Sequence, residues 1–128
     1  MAPDMSHVEF ARNNEDLAED FRDTFSNQNN WVVIMHFYSY LHYAEEVLER
    51  CGYSQKSHKE RKNNLDDCSQ IDRKGYKIYR FLYDTSRDAR YECLEIEDES
   101  VDTCREKLME GKEILGFTTG GGSTKYNV

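Results

Sequence analysis

The most informative stretch for the fold is WVVIMHFYSYLHYAEEVLER, residues 31–50. Its apolar side chains fall on nearly every side of a helical wheel, which predicts a long helix at the centre of a helical protein. Gly52 follows at the position where a glycine commonly ends a helix. One side of this helix is expected to face the core. The other side is the expected contact with a second copy of the chain, and it consists of Trp31, Met35, Tyr38 and His42.

Four other helices are expected to pack around this central one. The first is amphipathic, with acidic residues opposite an apolar face made of Phe10, Leu17, Phe21 and Phe25. Asn29 or Asn30 is expected to cap the central helix. Ser57 and Glu60 have the spacing of a capping box at the start of a short third helix. The five expected helices cover residues 7–26, 31–50, 58–68, 71–92 and 99–115.

The composition supports the same fold class. The chain has 128 residues, one proline and 33% charged residues, where about 25% is usual. Few helix breakers and many charged helix formers predict an all-α protein. We expect an antiparallel bundle of four to five helices in a single domain over residues 1–116. The Gly-rich residues 117–128 are expected to form a flexible tail.

Charge and cysteine usage restrict the possible functions. A net charge of -8 disfavours non-specific binding to nucleic acid or to anionic membranes, but it permits a local basic patch. The longest fully apolar run, residues 31–35, is too short to span a bilayer, and the first residues do not resemble a signal peptide. The four cysteines form no C-x-x-C pair, so no zinc site is expected. We therefore expect a cytoplasmic protein with no membrane partner, no metal and no cofactor.

The stretch FLYDTSRDARYE, residues 81–92, is unusually basic and aromatic for this acidic chain. On a helical wheel, four of its residues share what we call the Tyr/Arg face: Tyr83, Arg87, Arg90 and Tyr91. Arginine forks match phosphate geometry and aromatic rings stack on bases, so this face predicts a site for a nucleotide or RNA. Alternatively, the arginines pair with Asp84, Asp88 or acids of the first helix, and the face is merely solvated.

His58 is the candidate titrating residue. It begins a helix beside Lys59, Arg61 and Lys62, and these cations favour its neutral form. His58 and Arg61 are therefore expected to extend the ligand site. A neutral imidazole next to arginines is also a candidate general base for a ribose 2′-hydroxyl. The alternative is a polar residue at a helix start with no catalytic task.

Two segments resemble small proteins of the HEPN family (higher eukaryotes and prokaryotes nucleotide-binding). The first is FYSYLHYAEEVLERCGYSQKSHKER, residues 37–61, with Tyr38 and His42 in a central helix, the Gly52 turn, and the pair Ser57-His58 at the next helix. The second is FLYDTSRDARYE, which resembles the helix that follows in that family. The resemblance spans roughly residues 15–115.

This resemblance implies a dimeric all-α bundle. Many family members are metal-independent RNases, often of toxin–antitoxin or defence systems, and others pair with a small nucleotidyltransferase. The RNases carry an Arg-x(4–6)-His motif, which this chain lacks: seven residues separate Arg50 from His58, and Tyr91 stands four positions after Arg87.

Three hypotheses follow for the function. The first is a dimeric protein that binds a nucleotide, RNA or a protein partner through the Tyr/Arg face without typical nuclease activity. The second is an RNase with an atypical active site, in which His58 is the base and Arg87 and Arg90 stabilise the phosphate. The third is a purely structural subunit of a larger complex.

Overall fold

The chain folds into five α-helices, as seen in a computed structural model that describes residues 6–91 and 95–117, and no strand occurs among those residues. The helices are α1 His7–Thr24, α2 Asn29–Arg50, α3 His58–Asp67, α4 Arg73–Tyr91 and α5 Asp98–Leu115. This confirms the all-α bundle predicted from the sequence. Each helix lies within about two residues of its expected bounds, an ordinary margin for helix ends.

The central position of α2 follows from its apolar character. Thirteen of its 22 residues are buried, on every side except the one that carries Trp31. Residues later in α2 contact residues earlier in α4. The Asn30 amide donates to the Ala89 carbonyl at 3.1 Å near one end, and the Tyr40 hydroxyl donates to the Gly75 carbonyl at 2.8 Å nearer the other. α2 and α4 are therefore antiparallel.

The face that α1 turns to the core differs from the predicted one. Ala11 and Ala18 are completely buried, whereas Phe10, Leu17 and Phe25 are 42%, 51% and 50% exposed. The alanines allow α1 to approach α2 closely, and the Ser39 hydroxyl donates to the carbonyl of Ala11 at 2.8 Å. Three of the four predicted apolar side chains are therefore left on the flank of the helix, while Phe21 packs against the core as expected.

The helix caps also differ in part from expectation. Neither Asn29 nor Asn30 caps α2, because the N-cap is Gln28 and it makes no side-chain capping bond. The two asparagine amides instead donate to the carbonyls of Ile96 and Ala89, and so they join the start of α2 to the segment before α5 and to the end of α4.

The third helix has half of the expected capping box. The Ser57 hydroxyl accepts a bond from the Glu60 amide at 3.1 Å. The Glu60 carboxylate accepts from the amide of Lys56 at 2.6 Å, so the reciprocal bond to Ser57 is replaced. Gly52 follows α2 with a φ of +88°, which confirms its predicted role in ending the helix.

The bundle includes Phe117, the first residue of the predicted tail. Its ring lies 5.0 Å from that of Tyr43, and the guanidinium carbon of Arg50 lies 5.3 Å from the Phe117 ring centre. The rest of the predicted tail, residues 118–128, lies outside the described residues.

Candidate anion-binding site

The site is organised around the ring of His58, which begins α3. Ser57 caps this helix, and the imidazole of His58 faces α4. The rings of His58 and Tyr83 are stacked, with centroids 3.9 Å apart and an interplanar angle of 10°. Two residues predicted from different segments of the sequence are thus in direct contact.

Tyr79 lies behind this pair and is fully buried. Its hydroxyl oxygen is 3.0 Å from His58 Nδ1, and its ring lies nearly parallel to both His58 and Tyr83, at 17° and 9°. The Arg61 guanidinium is also within hydrogen-bonding reach of the Tyr79 hydroxyl. The position of the imidazole is therefore fixed by contacts on its ring face and at Nδ1.

Arg61 has a structural partner. Its guanidinium forms a half-buried ion pair with Glu45 of α2, whose own exposure is only 8%. The Gln55 amide donates to the same carboxylate at 2.6 Å, and the Asn64 amide donates to Gln55 at 2.7 Å. This network attaches α3 to α2. It also means that much of the charge of Arg61, which we predicted as a ligand contact, is already balanced by Glu45.

Arg90 is held in place without a counter-ion among the described residues. Its Nη1 donates to the Tyr38 hydroxyl at 3.3 Å, and its guanidinium carbon lies 5.1 Å from the Tyr91 ring centre. The Nε atom is buried and has no hydrogen-bond partner in the described part of the chain. Among residues 6–91 and 95–117, the half-buried guanidinium therefore has no carboxylate that balances its charge.

Arg87 and Tyr91 form the outer part of the Tyr/Arg face. Both are exposed, Tyr91 at 68%. Within residues 6–91 and 95–117, no carboxylate forms an ion pair with Arg87 or Arg90, so the alternative pairing with Asp84 or Asp88 is not observed.

The environment of His58 is electropositive. Partial burial lowers the pKa of His58, and the cations of Arg61, Lys62, Arg80 and Arg90 lower it further. The direction agrees with the one expected from the sequence, although Lys59 is not among the contributing cations. The imidazole is therefore neutral at neutral pH, in a region of positive potential on an acidic protein.

The predicted dimer face is only partly free in the single chain. Trp31 is 54% exposed, and Met35 and Tyr38 are half-buried. His42 packs against α1 of the same chain, with its Nδ1 3.0 Å from that of His7 and its ring 5.1 Å from the Phe10 ring. Burial, more than the neighbouring His7, lowers the pKa of His42.

Sequence reasoning missed two residues that build the site. Tyr79 was not among the predicted site residues, although its spacing from Ile78 and Leu82 fits the buried side. Glu45 was not among them either. The signal for its actual role was a lone carboxylate within the buried part of α2.

No group of three or more metal-ligating side chains occurs in the described part of the chain. The helices that the structure describes also include none with the length and apolarity needed to cross a membrane.

A scan against protein-family models gave no match, and neither the curated proteins nor the solved structures gave a significant one. The HEPN resemblance thus stays a prediction.

Proposed function

We propose that this protein is a HEPN-like bundle that binds the phosphate groups of RNA or a nucleotide at an anion site formed by His58, Tyr83 and Arg90. Arg87 and Tyr91 extend the site along α4. These residues come from α3 and α4: His58 and Tyr83 are stacked, and the Arg90 charge is among those that lower the pKa of His58.

The observation that carries this proposal is the state of Arg90. A guanidinium that is removed from water is normally paired with a carboxylate or another anion, because its desolvation is costly. Here it is half-buried, and in the part of the chain that the structure describes its Nε has no partner and no carboxylate pairs with it. A phosphate oxygen is the type of ligand that would complete its hydrogen bonds.

The aromatic residues favour a nucleotide over a simple anion. Tyr83 and Tyr91 lie beside the basic groups at a spacing of two helical turns, and Tyr83 is already stacked on His58. Proteins that bind single-stranded nucleic acid combine such flat faces with positive charge, since bases stack on the rings while phosphates meet the cations.

The test is binding of a fluorescent single-stranded RNA, measured by anisotropy at low salt. Arg90→Ala is expected to weaken binding by about tenfold, since hydrogen bonds to charged groups contribute about 1.5–3 kcal/mol. Arg73→Ala is the matched control, because it removes the same charge from the exposed opposite end of α4. Absence of binding by the wild type, or equal losses in the two variants, would contradict the proposal.

We also propose that two copies associate through the exposed side of α2. Trp31 is a large exposed aromatic, and aromatic residues of this kind are enriched at protein interfaces. Tyr38 of the same face accepts the bond from Arg90, so the interface would lie at the edge of the anion site. Light scattering should find a dimer for the wild type and for Phe81→Glu, an exposed aromatic elsewhere on α4, but a monomer for Trp31→Glu.

A second candidate is the metal-independent RNase with His58 as base. The observation in its favour is the neutral imidazole beside Arg61 and Arg90. RNA cleavage in EDTA that is lost in His58→Ala and in Arg87→Ala would support it. Binding without cleavage supports the first proposal.

A further inference from the structure

Three side chains behind His58 lead to its ring, beginning with an ion pair and ending with a hydrogen bond. Glu45 holds the Arg61 guanidinium, Arg61 reaches the Tyr79 hydroxyl, and that hydroxyl oxygen lies 3.0 Å from His58 Nδ1. Tyr79 is fully buried and Glu45 nearly so. The direction of the protons along this chain determines what His58 presents to a ligand.

The direction follows from the donor and acceptor capacity of each group. A guanidinium has donors only, so the Tyr79 oxygen accepts from Arg61. The buried hydroxyl proton of Tyr79 needs an acceptor, because leaving a buried donor unsatisfied is costly. Among the described residues, the acceptor in hydrogen-bonding contact with it is His58 Nδ1. The imidazole proton must then be on Nε2, the ring nitrogen that does not bond to Tyr79.

We propose that the chain Glu45–Arg61–Tyr79 fixes His58 as a hydrogen-bond donor through Nε2–H, and that this donor binds a phosphodiester oxygen of RNA at the anion site. This inference rests on the proposed anion site and deepens it. The imidazole and the guanidinium then both present donors, whose natural partner is an oxygen that only accepts, as in an ionised phosphodiester. In this tautomer the imidazole has no lone pair directed at the ligand, so it cannot take a proton from a 2′-hydroxyl. Tyr79 is thus a positioning residue.

The tautomer is measurable in the wild-type protein by long-range proton–nitrogen NMR of the His58 ring, which shows which nitrogen carries the proton. We expect the proton on Nε2. A proton on Nδ1 would overturn the inference. The measurement needs no ligand, so its outcome is independent of whether RNA binds.

Tyr79→Phe supplies a second test because the two possible bond directions shift the His58 pKa with opposite signs. A hydroxyl that donates to Nδ1 stabilises the neutral imidazole, so its removal should raise the pKa of His58. A hydroxyl that accepts from Nδ1–H stabilises the cation, so its removal would lower that pKa and overturn the inference. Tyr53→Phe is the matched control, since it removes an exposed bond to Asp67 and should leave the His58 pKa unchanged.

Binding of single-stranded RNA completes the test. Loss of the fixed tautomer in Tyr79→Phe should weaken binding by about threefold to tenfold, the range of a typical net hydrogen bond, while Tyr53→Phe binds as the wild type does. RNA binding that is unchanged in Tyr79→Phe would overturn the role given to Tyr79. A wild type with the Nε2–H tautomer that binds no RNA would instead refute the anion site itself.

Discussion

The ring of Tyr83 lies flat on the imidazole of His58, with centroids 3.9 Å apart and planes within 10°. The two residues are 25 positions apart in the sequence and belong to different helices. Their stack joins the start of α3 to the middle of α4, beside the buried Tyr79. One face of this half-buried ring is thus occupied by His58, so a base would have to stack on the opposite face.

Two replacements of Tyr83 distinguish the contribution of its ring to RNA binding from that of its hydroxyl. Tyr83→Phe keeps the stack on His58 and should bind single-stranded RNA within about twofold of the wild type. Tyr83→Leu loses the flat surface and should weaken binding by about tenfold, since stacking on an aromatic residue contributes about 1–3 kcal/mol per base. Fluorescence anisotropy gives both affinities. Equal affinities for the Leu and Phe variants would show that no base stacks there.

The ion pair between Glu45 and Arg61 is expected to stabilise the attachment of α3. Glu45→Gln leaves the half-buried guanidinium without its carboxylate, and we expect a loss on the order of 3 kcal/mol in the free energy of unfolding. Urea denaturation monitored by circular dichroism measures this loss. Arg61→Met in the same background should recover part of it, because the unpaired charge is then removed.

Glu46→Gln is the matched control for that prediction. Glu46 pairs with Arg50 one turn along α2 at 2.8 Å, and the Arg50 side chain is 61% exposed. Exposed pairs of this kind contribute little, so a loss below about 0.5 kcal/mol is expected. If Glu45→Gln costs no more than Glu46→Gln, the pair between α2 and α3 does not hold the helix in place.

His36 should make the fold less stable in acid. Burial, together with Arg105 and Arg22, lowers the pKa of His36 from 6.5 to about 4. The unfolded chain then binds the proton more tightly than the folded one. The contribution of neutral His36 to the free energy of unfolding is fully present above pH 6.5 and is lost as the pH falls toward 4. The free energy of unfolding should therefore decrease by about 2 kcal/mol between pH 7.5 and pH 5.

Urea unfolding at several pH values tests this expectation. His36→Leu should remove most of the decrease, while the lowered pKa of His42 leaves a smaller remainder of the same sign. The same decrease in wild type and variant would show that other groups control the acid sensitivity. The Nδ1 atom of His36 is buried without a partner in the described residues, so the neutral ring itself makes no bond there that the leucine would lose.

The ring of Tyr40 leaves no space for a side chain at position 111, so a glycine is required there. A Cβ atom at Gly111 would overlap Tyr40 Cε1, and that ring is buried with its hydroxyl bonded to the Gly75 carbonyl. The ring cannot move without losing this bond, so Gly111→Ala should destabilise the fold by about 1–3 kcal/mol or more, as overpacking commonly does. Thermal unfolding measures the change in Tm.

Gly52→Ala is the control for that substitution. A Cβ there meets nothing within 4 Å, and its only cost is the positive φ of +88°. We expect a loss of about 1 kcal/mol, the usual penalty for alanine in a left-handed conformation. A smaller effect for Gly111→Ala than for Gly52→Ala would mean that α5 can shift away from Tyr40.

The position of α2 was predictable because its composition leaves few choices: a helix apolar on most sides has to be central. The orientation of α1 was not. A helical wheel cannot decide between a side of small residues and an adjacent side of large ones, and the structure selects the side of Ala11 and Ala18 because it permits a closer approach to α2. Helix existence depends on local pattern, whereas the buried face depends on the neighbouring helix.

In the candidate site, too, features that depend on one helix were predicted and features that depend on packing between helices were not. His58, Tyr83 and Arg90 were identified by their residue types and by their faces on single helices. Tyr79 and Glu45 were missed, because their roles depend on how α2, α3 and α4 meet. No pattern within one helix predicts that a carboxylate of α2 holds an arginine of α3 behind a tyrosine of α4.

The most direct test of the anion site is an NMR titration of the full chain with a short single-stranded RNA, followed on the ring signals of His58 and Tyr83. These signals should shift in proportion to bound RNA, and the shifts should be lost in Arg90→Ala but kept in Arg73→Ala. Ring signals that stay unchanged while RNA binds, or an absence of binding at low salt, would contradict the account.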